Sequence, residues 1–92
     1  MASSKNFLDY VLESIGLGEV TFRPMMGEFL LYFNGKLFGG VYDDELLIKK
    51  NQKNANFGLD ERVPYPGAKP MLLIDFLDDS ERVKAVIKKS VD

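Results

Sequence analysis

Residues 28–42 read EFLLYFNGKLFGGVY, and this stretch decides the fold. Asn34-Gly35 stands between two apolar runs rich in aromatic residues, which are typical of strands. This dipeptide is also typical of a two-residue hairpin, because both central residues of a type I′ turn need a positive φ. We therefore predict two antiparallel strands, at 28–33 and 36–43, joined by a tight turn at Asn34 and Gly35.

Turn residues continue this pattern on both sides of the hairpin. Gly27 and the pair Asp43-Asp44 mark two further reversals, which predict strands at 19–25 and 45–50. Connections of this length join only antiparallel neighbours, so the four strands form a meander. Gly39-Gly40, inside the third strand, predicts a bulge or a close approach of two backbones.

The rest of the chain adds a strand and two helices. The apolar run at 71–76 predicts a fifth strand, and the proline-rich segment 63–70 predicts an irregular connection that turns at Gly67. Apolar residues at helical spacing predict amphipathic helices at 4–15 and 80–90. The expected architecture is α+β: an N-terminal helix, a four-stranded antiparallel meander with a fifth strand, and a C-terminal helix.

Composition limits the size and the chemistry of the protein. A chain of 92 residues makes one domain with one compact core, so we expect a single domain over 1–92. The absence of Cys and His excludes thiol nucleophiles, disulfides, His-based general bases and most zinc sites. We therefore expect a protein that is not an enzyme and that holds neither a metal ion nor a cofactor.

No targeting or membrane signal is visible in the sequence. The first residues lack the apolar region of a secretory signal, and no apolar run approaches the ~20 residues that a membrane span requires. We expect a soluble, cytoplasmic protein with no membrane partner.

The predicted sheet has apolar residues on both faces. An antiparallel sheet with one face in water alternates between apolar and polar residues, and two helices of about three turns each cover only one face. The residues expected on the second face are Leu30, Tyr32, Phe38 and Tyr42. Three alternatives follow: the helices and the proline-rich segment wrap both faces, a second copy packs on the sheet as a homodimer, or the face binds a peptide or small molecule.

Basic residues indicate further candidate contacts. The net charge is −2, but residues 49–69 hold five basic residues against two acidic ones. Arg23 and Lys49 stand in or beside apolar strands, so they either protect a sheet edge or belong to a binding surface. The candidate binding residues are Arg23, Lys49, Lys50 and Lys69. Because Lys and Arg neutralise phosphates, direct DNA binding through 49–69 is an alternative function.

Four segments, taken in order, resemble the successive signatures of one protein family. They are RPMMG at 23–27, LYFNGKLF at 31–38, DDELLIK at 43–49 and YPGAKPM at 65–71. Their order and spacing match those of the family, so the chain is similar, from about Tyr10 to Ser90, to the amino-terminal domain of the TfoX/Sxy competence regulators. One position departs from the family pattern: an aromatic residue and two glycines usually follow the first motif Met, where this chain has Met26, Gly27 and Glu28.

The resemblance implies a bacterial or archaeal protein with a small, secretion-chaperone-like α+β fold that is often dimeric. Full-length members of the family activate competence genes together with a cyclic-AMP receptor protein, and two-domain members carry a helical C-terminal domain, which we do not expect within 1–92. The family gives no established catalytic role to the matching motif positions, which are Arg23, Gly27, Gly35, Lys49, Gly67 and Lys69. We therefore interpret the chain as a non-enzymatic homodimer that acts through protein contacts in transcriptional regulation.

Overall fold

The first helix is closed at both ends by capping residues. The computed structural model describes residues 3–91, and its first element, α1, spans Lys5–Ile15. The Ser4 hydroxyl accepts a hydrogen bond from the Phe7 backbone N–H at 3.1 Å, which satisfies a first-turn donor that the helix cannot pair itself. Gly16 ends α1 in the left-handed conformation, with φ 63°.

The central strands form hairpins at the predicted turns. They are β1 Val20–Met25, β2 Glu28–Phe33, β3 Lys36–Tyr42 and β4 Glu45–Ile48. Each pairs antiparallel with the next. The two central residues of each connecting turn have positive φ, as a type I′ turn requires; they are Met26 and Gly27, Asn34 and Gly35, and Asp43 and Asp44. The predicted turn positions are therefore confirmed.

The C-terminal half completes the sheet and the helix layer. Its elements are a 3-10 turn at Ala55–Phe57, β5 Glu61–Arg62, β6 Met71–Ile74 and α2 Ser80–Val91. The sheet has the strand order β1-β2-β3-β4-β6-β5, and all pairs are antiparallel. The predicted α+β architecture is confirmed. The sheet has one strand more than predicted, because the two polar residues of β5 show no strand periodicity.

Both helices lie on the same face of the sheet. Their apolar stripes pack with one side of the strands into the main core, which contains Leu8, Val11, Ile15, Leu31, Phe38, Val41, Leu46, Ile48, Leu72, Ile74, Phe76, Val83, Val86 and Ile87. The opposite side of the sheet, which we call the open face, carries a smaller cluster. It consists of Tyr42, Leu47 and Leu73, with Met25, Leu30 and Met71 packed against them.

Phe38 lies on the helix-covered face, so the prediction that it belongs to the second face is wrong. Leu31 pairs with Gly39 whereas Tyr32 pairs with Leu37, and Phe38 is left without a partner in β2. This arrangement is a β-bulge, and its extra residue reverses the side-chain alternation of the strand. Phe38 is fully buried in the main core, whereas the neighbouring Leu37 is 39 % exposed on the open face.

The two glycines after Phe38 allow neighbouring strands to approach closely. A Cβ atom on Gly39 would overlap the backbone carbonyl oxygen of Leu47 in β4. A Cβ atom on Gly40 would lie 2.6 Å from the carbonyl oxygen of Phe29 and 2.8 Å from the ring of Tyr42. Only glycine fits both positions without displacing the backbone, so the predicted bulge and close approach are confirmed.

Candidate binding cleft on the open face

The proline-rich segment 63–70 covers part of the open face. Its turn is closed by a hydrogen bond of 3.1 Å from the Ala68 N–H to the carbonyl oxygen of Tyr65. Pro66 occupies the second position of this turn, and Gly67 occupies the third with φ 88°, which is the geometry of a type II turn. Gly67 is therefore a turn residue, as the sequence predicted.

Tyr65 connects this segment to the sheet. Its ring centroid lies 6.4 Å from that of Tyr42, with the two planes tilted by 51°. The prolines on either side cannot donate hydrogen bonds to a strand, so the segment does not pair as part of the sheet. It crosses the open face at a distance and leaves space beneath it.

That space is a cleft of about 740 Å³ that is open to solvent. The sheet supplies its floor, which includes Met25, Leu30, Leu37, Tyr42 and Met71, and the segment supplies its wall, which includes Pro64, Tyr65, Ala68 and Pro70. The lining is mostly apolar, and the volume falls within the roughly 300–1,000 Å³ typical of ligand sites. The open face therefore presents a concave apolar surface that can accept a side chain or a small ligand.

Three lysines line the same cleft: Lys49, Lys50 and Lys69. Lys50 Nζ lies 2.7 Å from Oε2 of Glu61, which is the one carboxylate among the described residues of the lining. Lys49 and Lys69 are exposed and take part in no ion pair within residues 3–91. The cleft therefore combines apolar surface with positive charge, although the whole chain carries a net charge of −2.

The structure brings together three of the four basic candidates predicted from the sequence. Lys49, Lys50 and Lys69 line the cleft, whereas Arg23 does not. Arg23 lies in the edge strand β1, opposite Leu30 across the ladder, and it is exposed. It shares the open face with the cleft but lies outside the lining.

The four apolar candidates divide between the two faces. Leu30 and Tyr42 line the cleft, and the half-buried Tyr32 lies on the open face opposite Leu37 but outside the lining. Phe38 is inaccessible from the open face because the bulge turns it into the main core. Leu37 takes the exposed position that alternation assigned to Phe38.

Tyr42 is the polar group in the floor of the cleft. Burial raises the pKa of its hydroxyl above the usual value of 10.0, and the neighbouring Tyr65, Glu28 and Tyr32 raise it further. The hydroxyl therefore stays protonated at neutral pH, where it can donate or accept a hydrogen bond but cannot serve as a base. Tyr42 is suited to recognition rather than to proton transfer.

A network around Asn54 fixes the backbone of Lys49 at the cleft. The Asn54 side chain is fully buried, and its Nδ2 donates to the Lys49 carbonyl oxygen at 2.8 Å and to Ser90 Oγ at 2.9 Å. The Lys49 N–H donates to the carbonyl oxygen of Phe38 at 2.8 Å. This network was not predicted from the sequence, because Asn54 stands in a polar segment without any periodic signal.

A second network fixes the tip of the β1–β2 hairpin, beside the cleft residue Met25. Ser3 Oγ donates to Glu28 Oε1 at 2.6 Å and accepts from the Asp44 N–H at 3.0 Å, while the Asp43 N–H donates to Glu28 Oε2 at 3.0 Å. Glu28 thus holds the N-terminal segment and the β3–β4 turn together. No local pattern in the sequence reveals contacts between residues so far apart in the chain.

Most of the wall and floor of the cleft was likewise not predicted from the sequence. Once the bulge is known, side-chain alternation assigns Met25, Leu37 and Met71 to the open face. Alternation gives no information on Pro64 and Pro70, because they lie outside the strands. The sequence did contain one signal for the wall of the cleft, the turn residues Tyr65-Pro66-Gly67-Ala68. Their type II turn bends the segment back over the sheet. The sequence gives no indication of which part of the sheet it covers.

Within residues 3–91, no helix combines the length and the apolar character needed to cross a membrane. The same residues contain no group of three or more Asp or Glu side chains placed to hold a metal ion.

Comparison with known proteins identifies the family. The sequence matches the family described as TfoX N-terminal domain over residues 12–92, which include the end of α1, the whole sheet and α2. No curated protein shows a significant match. Because the match covers most of the chain and agrees with the successive motifs and with the α+β fold, the chain belongs to the TfoX N-terminal domain family.

Proposed function

We propose that this domain is a non-enzymatic regulatory module that binds another protein through its open face, in the competence-related regulation that its family suggests. The proposal rests mainly on the apolar cleft beneath segment 63–70, which the helices of the domain leave uncovered. A sheet face of this kind gains free energy when a partner removes it from water.

Exposed apolar side chains around the cleft favour a macromolecule over a small ligand. Tyr65 in the wall and Leu37 in the floor are 55 % and 39 % exposed, and Val63, next to the lining residue Pro64, is 55 % exposed. A small ligand inside the cleft would leave much of this surface in water. A protein partner can cover both the cleft and its surroundings, as the buried centre and rim of an interface do.

The chemistry of the cleft supports binding without catalysis. The raised pKa of Tyr42 makes its hydroxyl a weaker acid than an ordinary tyrosine. Enzymes instead shift the pKa of an acid or base towards the working pH. The lysines at the rim are exposed and lack the burial that would prepare an amine for nucleophilic attack.

The homodimer expected from the sequence stays a prediction. If two open faces stacked about a two-fold axis through the cleft, Lys49 and Lys69 of each copy would approach those of the other, because both copies use the same patch. This repulsion favours a different protein as the partner of the cleft. Sedimentation equilibrium at micromolar concentration tests the dimer, and a monomer at every concentration would contradict it.

Direct DNA binding through residues 49–69 is the second candidate. It is favoured by the three lysines of the cleft, but two other contacts oppose it: Lys50 is paired with Glu61, and Arg62 Nε lies 3.9 Å from Oε2 of Glu45. Phosphate binding predicts an affinity that falls steeply as salt is added. Failure to retard any duplex at low salt would exclude this candidate.

Site-specific photo-crosslinking in the native cell tests the proposed function. A benzoylphenylalanine at position 37 or 65 places the reactive group on the open face, and the same group at the exposed helix positions 13 or 88 is the matched control. We expect protein adducts from positions 37 and 65 and few from the controls. Equal yields from all four positions, or no protein adduct from 37 and 65, would contradict the proposal.

A further inference from the structure

We infer that the cleft receives a peptide segment that carries acidic residues next to a large apolar side chain. This inference rests on the proposed function, because it specifies the chemistry of the protein partner. The apolar residue enters the cleft beneath segment 63–70, and the carboxylates pair with Lys49 and Lys69 at its rim.

Charge complementarity supports the acidic character of the segment. Three of the described lining residues are lysines and one is a carboxylate, and that carboxylate is paired with Lys50. Lys49 and Lys69 have no ion-pair partner in residues 3–91 and are exposed. A patch of positive charge on a chain of net charge −2 attracts anions selectively, since the remaining surface repels them.

The floor of the cleft supports the apolar character of the segment. Met25 and Met71 lie on either side of Leu30 and Tyr42 in the lining. Methionine is unbranched and adapts its shape to an incoming side chain. The hydroxyl of Tyr42 is the polar group that the floor offers to the backbone of an entering segment.

The edges of the sheet oppose the other common mode of peptide recognition. A peptide that adds a strand needs a free edge with unpaired N–H groups. The outer strand β1 contains Pro24, which has no N–H, and the outer strand β5 has only two residues, Glu61 and Arg62. Both edges are therefore poorly suited to strand addition, and we place recognition in the side chains of the cleft.

A peptide-display selection against the folded chain tests this chemistry directly. We expect enriched peptides to contain Asp or Glu beside Leu, Met or an aromatic residue. For a synthetic enriched peptide, changing Asp and Glu to Asn and Gln should weaken binding about tenfold at low salt, with a smaller loss at high salt. Fluorescence anisotropy measures the affinity, and amide chemical shifts of the labelled chain locate the site at Leu37, Tyr42 and Met71.

Charge reversal on the protein gives the matched variants. Lys49→Glu combined with Lys69→Glu should weaken the peptide about tenfold, whereas Lys88→Glu combined with Lys89→Glu, on the exposed side of α2, changes the net charge equally and should leave binding within about twofold. Far-ultraviolet circular dichroism verifies that both variants are folded.

Four results would overturn the inference. They are the absence of enriched peptides, enrichment without an acidic excess, equal weakening by the two double variants, and displacement of the peptide by decanoate or duplex DNA at lower concentration than by free peptide. These failures are distinguishable from failure of the proposed function, because crosslinking from positions 37 and 65 reports a protein partner of any charge.

Discussion

The two faces of the sheet use apolar residues for different purposes. On the helix-covered face, Leu31, Val41 and Ile48 are fully buried in the main core, to which both helices also contribute. On the open face, the small cluster around Leu47 is flanked by exposed Leu37 and Tyr65. The first arrangement stabilises the fold, and the second leaves apolar surface for a partner. In the proposed function, one face of the sheet serves stability and the other serves recognition.

The bulge in β3 decides which of its side chains lie on each of the two faces. Phe38 and Leu37 are adjacent in the chain, yet one belongs to the main core and the other to the cleft. Without the extra residue, Phe38 would lie on the open face and the main core would lose its largest fully buried side chain. The difference between the two faces therefore depends on one irregular position in β3.

The largest effect is expected from truncating the residue that the bulge turns inward. Phe38→Ala should lower the free energy of unfolding by about 3–5 kcal/mol, because it removes a buried ring and leaves a cavity. Leu37→Ala, its matched control, should cost about 1 kcal/mol or less, because the side chain is partly in water already. Urea denaturation measures both values. Equal losses would contradict the assignment of Phe38 and Leu37 to different faces.

The next effect tests the close approach that accompanies the bulge. Gly39→Ala should cost about 3 kcal/mol, since its Cβ would overlap the Leu47 carbonyl oxygen and a backbone atom cannot rotate away. Gly18→Ala is the control, because no atom lies within 4 Å of the corresponding Cβ. Thermal unfolding compares the two variants. A Gly39 variant as stable as the Gly18 variant would contradict the β3–β4 geometry.

A somewhat smaller loss is expected in the loop between β4 and β5, where Asn54 contacts Ser90 of α2. Asn54→Ala should cost about 2 kcal/mol, because the Lys49 carbonyl oxygen and the Ser90 hydroxyl lose a buried partner. Gln52→Ala, at an exposed position of the same loop, should have little effect. Denaturant titration measures the free energy of unfolding of both variants. Equal values for the two variants would contradict the burial of Asn54.

The smallest effect concerns Tyr42 on the open face. Its pKa is higher in the folded chain than the usual 10.0, so the unfolded chain releases this proton first as the pH rises. The stability from the neutral hydroxyl is therefore complete below about pH 10 and is lost as the pH rises through the folded pKa. Tyr42→Phe should remove this part of the alkaline loss of stability. The free energy of unfolding of both proteins is measured by urea denaturation at several pH values above about 9. An equal decrease with pH in the two proteins would contradict burial of the hydroxyl.

Local signals in the sequence were sufficient for most of the fold. Turn pairs such as Asn34-Gly35 and capping by Ser4 act within a few residues, so each could be interpreted from its neighbours alone. The double glycine indicated a bulge, but it could not show on which side the extra residue lies. The face of Phe38 depended on that choice, and alternation alone assigned it wrongly.

The candidate site was less predictable because it depends on contacts distant in the chain. Lys49, Lys50 and Lys69 were identified together with Arg23 as candidate binding residues, from charge, strand position and the family motifs. Their common cleft arises only when segment 63–70 folds back onto the sheet through Tyr65 and Tyr42. Buried Asn54 and half-buried Glu28 gave no sequence signal, because their partners lie in other elements.

The most direct test of the account combines stability and binding in one variant, Leu37→Ser. Leu37 lines the cleft but contributes nothing to the main core. We predict that this variant unfolds at nearly the same denaturant concentration as the unmodified chain, while the crosslinking yield from a benzoylphenylalanine at position 65 falls severalfold. An unchanged yield in a fully folded variant would contradict the claim that the open face is the binding surface of this protein.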